Sequence, residues 1–244
     1  MTIPSTPATL AYLRDNAREL LNEFDAADAL ACYYTLYHDP KRTELFMHRD
    51  NAGQLDGFAA RCRTGFDLFR PLVTLRLRGG ETALPNLVEE SLAPGRPYLV
   101  VVPGGYAERL KKHVELSEAS LNWIYRLDPA RFKPEINVIV TRRTDPEGNP
   151  RAEIKRGKQV VASAGINWRS PIFAEIFVHV AEGERGRGHG RSVVSAVAAE
   201  LLHAEVTPLY AVAGTNAPSR ELAESVGFVD TGAREIMGQA VRRE

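Results

Sequence analysis

Cysteine is scarce in this chain: two of 244 residues, Cys32 and Cys62, and neither stands in a CxxC or beside a histidine. A disulfide framework or a zinc module needs more thiols at closer spacing, so neither is expected, and a cytoplasmic setting fits. His38, His48, His113 and His203 are scattered without ligand spacing, which points away from a metal. No stretch reaches the roughly 18 uninterrupted apolar residues of a membrane span. The opening MTIPSTPATLAYLRDNAREL lacks a basic start ahead of an apolar run, so neither a signal peptide nor a membrane anchor is expected. Charge of one sign is not in excess either. Lys plus Arg and Asp plus Glu both count 31, and the halves split at Tyr125 differ from neutral only by −2 and +2, so binding driven by counterion release from a phosphate backbone is not expected, and no nucleic-acid partner is assigned.

What is present is an average globular composition, 44% hydrophobic and 25% charged, enough for one large domain or two small ones. Disorder, collagen and coiled coil are excluded. From Pro7 to about Tyr37, the residues Leu10, Leu13, Ala17, Leu20, Leu21 and Phe24 recur at three and four, a helical stripe with Thr6 as N-cap and Pro7 in the first helical position. Tyr33, Tyr34 and Tyr37 continue it as core or interface residues. A hairpin follows at 44–48 and 55–63 around Asn51-Ala52-Gly53-Gln54. Then come a strand (72–77), a helix (84–92), a strand (98–102), a helix (107–113) and a strand (120–126).

Prolines and mixed charge mark a joint at 128–134. Strands are expected at 136–141, 151–155, 160–168 and 174–180. After a glycine-rich loop, a helix over 192–203 aligns Val193, Val197 and Leu201 with Val194, Ala198 and Leu202 on one apolar face. A strand (209–212), a helix (219–226) and a last strand from Phe228 finish the chain. Residues 1–130 and 131–244 thus repeat one plan, an α/β (α+β) arrangement in which a mixed central sheet is flanked by helices.

The strongest local signal is Arg185-Gly186-Arg187-Gly188-His189-Gly190 at a strand-to-helix junction. Glycines there let the backbone approach an anion, and the first amides of the helix direct positive partial charge at it. A phosphate or diphosphate fits, and so does a plain basic surface loop. The spacing is not GxGxxG, because Arg191 holds the third glycine's place, and no GxxxxGK[ST] occurs. It does read RxxGxG through Arg185, Gly188 and Gly190. Together with Asn216-Ala-Pro-Ser219-Arg-Glu-Leu222-Ala-Glu-Ser-Val-Gly227-Phe228, it resembles the two signature blocks of the GNAT superfamily of acyl-CoA-dependent N-acyltransferases. The resemblance covers roughly 137–232, and this part is similar to the C-terminal half of glycine N-acyltransferase-like proteins, whose N-terminal half is a degenerate copy of the fold. Residues 7–126 hold no RxxGxG, in keeping with that.

The resemblance implies two GNAT-like halves, the second binding acetyl-CoA or another acyl-CoA as co-substrate without a metal. The amides of Arg185, Gly186, Arg187, Gly188, His189 and Gly190 would hold its diphosphate, with Arg191 and Ser192 opening the helix. Backbone groups of Val178, His179 and Val180 would pair with the pantetheine arm, admitted where this strand splays from the next. Asn216 and Ser219 would lie along the thiol end, although Asn216 reads equally as a helix N-cap. Gly227-Phe228 reads as a helix stop followed by a core aromatic. The implied reaction is transfer of the acyl group to an amine of a small molecule or peptide by direct attack, the strand amides polarising the carbonyl. A homodimer is compatible with this reading.

Amine chemistry sets a demand of its own. A lysine-like amine of pKa ~10.4 costs about 4.6 kcal/mol to hold neutral near neutral pH unless a base takes its proton. In Phe173-Ala-Glu-Ile-Phe-Val-His-Val180, alternation turns Ile176, Val178 and Val180 to the core and leaves Glu175, Phe177 and His179 on the other face. Glu175 and His179 are the candidate bases, and a solvated strand carboxylate is the plain reading of Glu175. The histone acetyltransferase branch carries its glutamate one residue further from the loop, and a one-residue shift reverses the face unless a bulge restores it. Asn167 and Trp168 could line the acceptor pocket, a core tryptophan being the alternative. Many GNAT members place a tyrosine acid where this chain has Ala223. Ser219 or Tyr210, solvent, or no acid at all would then serve the departing thiolate. The alternative function is a non-catalytic acyl-CoA-binding or regulatory module.

Overall fold

A computed structural model of the protein describes residues 9–65, 67–79 and 82–243. In chain order its elements are α1 (Leu10–Ala17), α2 (Ala29–Cys32), β1 (Thr43–Arg49), β2 (Leu55–Cys62), β3 (Leu72–Leu77), α3 (Ala83–Ser91), β4 (Pro97–Pro103), α4 (Ala107–Leu110), β5 (Val114–Leu127), β6 (Thr141–Thr144), β7 (Pro150–Arg156), β8 (Gln159–Arg169), β9 (Phe173–Val180), α5 (His189–His203), β10 (Thr207–Ala213), α6 (Ala217–Val226) and β11 (Phe228–Arg242). Two compact units result, residues 1–121 with 235–244, and residues 122–234. The change of unit falls inside β5, at Asn122, and the C-terminal part of β11 belongs to the first unit.

In the first unit the strand order is β1-β2-β3-β4, and β4 pairs antiparallel with residues 235–241 of β11. β3 and β4 run parallel, joined by α3, whose Leu84, Leu87 and Val88 are buried against Val73, Leu75 and Val100. The expected N-cap Thr6 and Pro7 lie outside the described residues; Thr9 caps α1 by accepting from the Tyr12 amide. The single helix expected up to Tyr37 is broken. Asn22, Asp25 and Asp28 accept the amides of Phe24, Ala27 and Asn22, local bonds that compete with helix propagation, and Phe24 is 74% exposed. Helix resumes in α2 and runs on as a π-turn, Tyr33–Tyr37. The helix expected at 107–113 is the shorter α4. Cys32 and Cys62 are free and buried, and burial pushes both thiols up to about 12.

The second unit has the strand order β5-β10-β9-β8-β7-β6, with β5 contributing residues 122–126 antiparallel to β10. β9 and β10 are parallel; the other neighbours are antiparallel. The α5 face foreseen from the periodicity is buried at Val193, Val194, Val197, Ala198 and Leu201 and packs with Ile176, Val212, Tyr125 and Phe228. Residues 136–140 are not a strand. Their segment runs along α5, the Glu135 and Asn137 amides donating to Ser195 and Ser192 Oγ (3.4 and 3.3 Å), bonds to a helix rather than to a neighbouring strand. α5 also opens at His189, three residues before the expected start. Among the described residues no helix is long and apolar enough to cross a membrane.

Candidate functional site

The parallel pairing of β9 and β10 covers three residues, Phe173, Ala174 and Glu175 against Thr207, Pro208 and Leu209. Beyond Glu175 and Leu209 the two strands part: the rest of β9 pairs with β8, and the rest of β10 with β5. The edge of β9 from Val178 to Val180 therefore keeps backbone groups without a partner strand on the β10 side. At the mouth of this splay lies a cleft of about 600 Å³. It is lined by Val178, His179, Val180, Arg185, Gly186, Gly188, His189, Gly190, Arg191, Asn216 and Ser219, together with Glu184, Pro218, Glu221, Leu222 and Ser225. Two residues of the expected coenzyme set stand apart. Arg187 does not line the cleft, and Ser192 is buried, its Oγ bonded to the Gly188 carbonyl (3.2 Å).

The glycine loop ends in a helix N-terminus aimed at this cleft. Gly188 is the N-cap with φ +76°, a left-handed conformation that favours glycine. The first bond of α5 runs from the Ser192 amide to the Gly188 carbonyl (3.0 Å), leaving the amides of His189, Gly190 and Arg191 without an intrahelical acceptor. Gly190 serves packing as well as access: a Cβ there would lie 3.2 Å from Leu222 Cδ2 and 3.4 Å from Val180 Cγ2. Gly190→Val is therefore expected to overpack the joint between α5 and α6, costing about 1–3 kcal/mol, and to weaken acetyl-CoA binding more than about tenfold. Calorimetry and a thermal melt check both effects; unchanged affinity would remove the loop from the binding site.

Glu175 sits where the strands part. β8 bulges between Ile166 and Trp168, so that Trp168 comes to face Glu175. The extra residue directs two donors at one carboxylate: Asn167 Nδ2 donates to Oε1 (2.6 Å) and Trp168 Nε1 to Oε2 (2.9 Å). Burial raises the Glu175 carboxyl above the usual carboxylate range, and the bonds from Asn167 and Trp168 oppose that shift. Glu175 is half-buried, and each of its carboxylate oxygens accepts a side-chain hydrogen bond. Trp168 is a core residue, 5% exposed, and at the same time a partner of the candidate base. His179 is exposed and lines the cleft.

At the far side, Asn216 caps α6 by accepting from the Ser219 amide (3.2 Å) while lining the cleft. Ser219 Oγ lies 2.8 Å from the Tyr210 hydroxyl, and burial raises Tyr210. Ala223 is wholly buried in the same core as Tyr210. Gly227 ends α6 with φ +114°, and the Phe228 ring packs against Tyr210 in that core, tilted by 55° with centroids 5.7 Å apart. Sequence reasoning missed Glu184, whose nearness to Arg185 was the available signal, and the bulge at Asn167, for which the sequence offered none. Among the described residues no cluster of His, Cys, Asp or Glu is placed to hold a metal.

Residues 155–236 match the family model described as FR47-like protein, a span from β7 into β11 that contains the whole cleft. No curated protein matches the chain. The solved structures similar to it include a GCN5-related N-acetyltransferase from Sphaerobacter thermophilus, 15% identical with a TM-score of 0.60 over 99% of this chain and 94% of that one. A second GCN5-related N-acetyltransferase, from Kribbella flavida, is 13% identical with a TM-score of 0.62 over 87% and 95%. The protein has the GNAT fold. A tandem GNAT protein from the clavulanic acid biosynthesis pathway is similar along 95% of this chain and 94% of its own, at 15% identity and a TM-score of 0.57. The FR47-like match and these neighbours together support the GNAT superfamily. In this GNAT fold the strand-to-helix junction that carries RxxGxG is the one where β9 and β10 part.

Proposed function

We propose that the protein is an N-acyltransferase that transfers an acyl group, acetyl from acetyl-CoA in the first instance, to the amine of a small molecule or peptide. The observation that carries this reading is the cleft in which the free edge of β9, the N-terminus of α5 and the start of α6 meet. The α5 amides with Arg185 and Arg191 suit the diphosphate; the edge of Val178 to Val180 suits the pantetheine amides and the thioester carbonyl; Asn216 and Ser219 suit the thiol end. Glu175, held by Asn167 and Trp168, takes the amine proton, with His179 on the same strand face as the competing base. The Ser219 hydroxyl, bonded to Tyr210, is the donor available to the departing thiolate. The first unit, which repeats the strand and helix order without the RxxGxG loop, is assigned no coenzyme. Thiol release from acetyl-CoA over a panel of amines tests the activity. Release with no amine of the panel, alongside measurable coenzyme binding, would favour the second reading.

That second reading, a non-catalytic acyl-CoA-binding module, is favoured by Ala223. Restoring the tyrosine common in the superfamily is not expected to activate the protein. Ala223 is 0% exposed, so Ala223→Tyr overpacks the core by about 1–3 kcal/mol or more, and the expected outcome is a lower melting temperature without faster thiol release. A faster variant of unchanged stability would show that position 223 opens on the thioester.

A further inference from the structure

The cleft contains a carboxylate that an anion site has no evident use for. Glu184 precedes the glycine loop and, like His189, is 9% exposed; both line the cleft. Glu184 Oε1 takes the guanidinium of Arg156 at 2.6 Å. Its Oε2 faces His189 Nδ1 at 3.9 Å and Arg187 Nε at 3.7 Å. Neither Oε2 nor His189 Nδ1 has a hydrogen-bond partner, although both atoms are buried. Arg156 answers one oxygen only, and two buried polar atoms left unpaired, Oε2 and Nδ1, are costly. An Nδ1–H on the imidazole, turned to the carboxylate, answers both, and with a carboxylate on one side and an anion on the other a second proton, on the remaining nitrogen, makes the ring a donor to the cleft as well.

We propose that Glu184 and His189 form a carboxylate–imidazole pair that presents a protonated imidazole to the diphosphate of the acyl-CoA, a side-chain contact beyond the loop amides. This rests on the coenzyme reading of the cleft. Glu184 is the positioning residue and His189 the binding group. The other charged groups near Glu184 are Arg156 from the end of β7 and Arg187 from the loop, and the remaining titratable groups that line the cleft are Arg185, Arg191, Glu221 from α6 and His179 from β9. Arg156 and Arg187 are more than half exposed and are screened by solvent.

The test is acetyl-CoA affinity by calorimetry on the full chain from about pH 5 to about pH 8, the range over which histidine changes charge. The imidazolium contact strengthens binding at low pH and is lost as the pH rises. Wild-type affinity should therefore fall about tenfold more across this range than that of His189→Gln, a comparison that cancels the ligand's own titration. Glu184→Gln should bind more weakly near neutral pH, although it removes a negative charge beside an anion. Equal pH slopes in wild type and His189→Gln, or tighter binding by Glu184→Gln, would overturn the pair's role. Histidine NMR titration of the wild type needs no variant: acetyl-CoA should raise the midpoint of one of the six histidines, and six unmoved midpoints would overturn the proposal. Absence of acetyl-CoA binding at every pH would instead overturn the coenzyme reading on which it stands.

Discussion

A fragment that begins at Phe132 is expected to lose the fold of the second unit and all acyl-CoA binding. The cut falls in the segment that composition marks as a joint, yet it removes the strand that pairs with β10 in the second unit. Residues 122–126 of β5 pair with Leu209 to Ala213, five residue pairs in all. Without them β10 becomes an open edge next to the splay. Tyr125 and Leu127, each 1% exposed, leave the core. At about 1.5–3 kcal/mol each, these two side chains alone account for about 3–6 kcal/mol, against about 5–15 kcal/mol for a whole domain. A fragment of residues 122–234, which keeps these residues, is expected to unfold cooperatively. Circular dichroism, a thermal melt and acetyl-CoA calorimetry on both pieces check this; a stable, binding-competent fragment from Phe132 would contradict it.

Glu175→Gln is expected to lower the rate of acyl transfer by roughly 10²–10⁴ for a competent amine, with acyl-CoA affinity unchanged, because the lost group acts on the acceptor's proton. Since burial raises the Glu175 carboxyl, the acid limb of the pH–rate profile should lie above the usual carboxylate range. Stability carries the same signature. The folded carboxyl titrates above its unfolded value of about 4.3, so the fold favours the protonated form. Wild-type stability relative to the glutamine variant should therefore decline as the pH rises from about 4 through the folded value, and then level off. Denaturant unfolding at several pH values measures this, and a flat difference would mean that Glu175 is not desolvated. Full activity in Glu175→Gln with loss in His179→Ala would move the base to His179, which lies two pleats along the same face and lines the cleft. Full activity in both would leave the proton to solvent.

The strands at 72–77 and 98–102, the hairpin around Gly53 and the α5 face were legible because each is a local pattern: period two, period 3.6, or a turn chemistry. The loop and helix starts that line the cleft were legible for a related reason. A glycine loop before a helix and an N-cap asparagine are short-range devices, and their backbone consequences follow from the residues themselves. Three things were not. The N-terminal stripe concealed a break, because Asn22, Asp25 and Asp28 offer the amides local acceptors that periodicity does not register. The apolar residues 136–140 look like a strand, but Ser195 and Ser192 of α5 take the amides of Glu135 and Asn137. Ser192 looked like a helix-opening ligand and is a buried link between Gly188 and Asn137.

The sequence alone determined the α/β class and the glycine loop that opens α5, with the asparagine cap of α6, all of them set by neighbours in the chain. Only the tertiary structure decided that β5 and β11 each divide between the two units, that β9 and β10 part after Glu175, and that a bulge turns Asn167 and Trp168 onto one carboxylate. It also brought Glu184 within ion-pair distance of His189. These outcomes depend on strand register, burial and the approach of groups from separate elements, which no spacing along a single chain encodes.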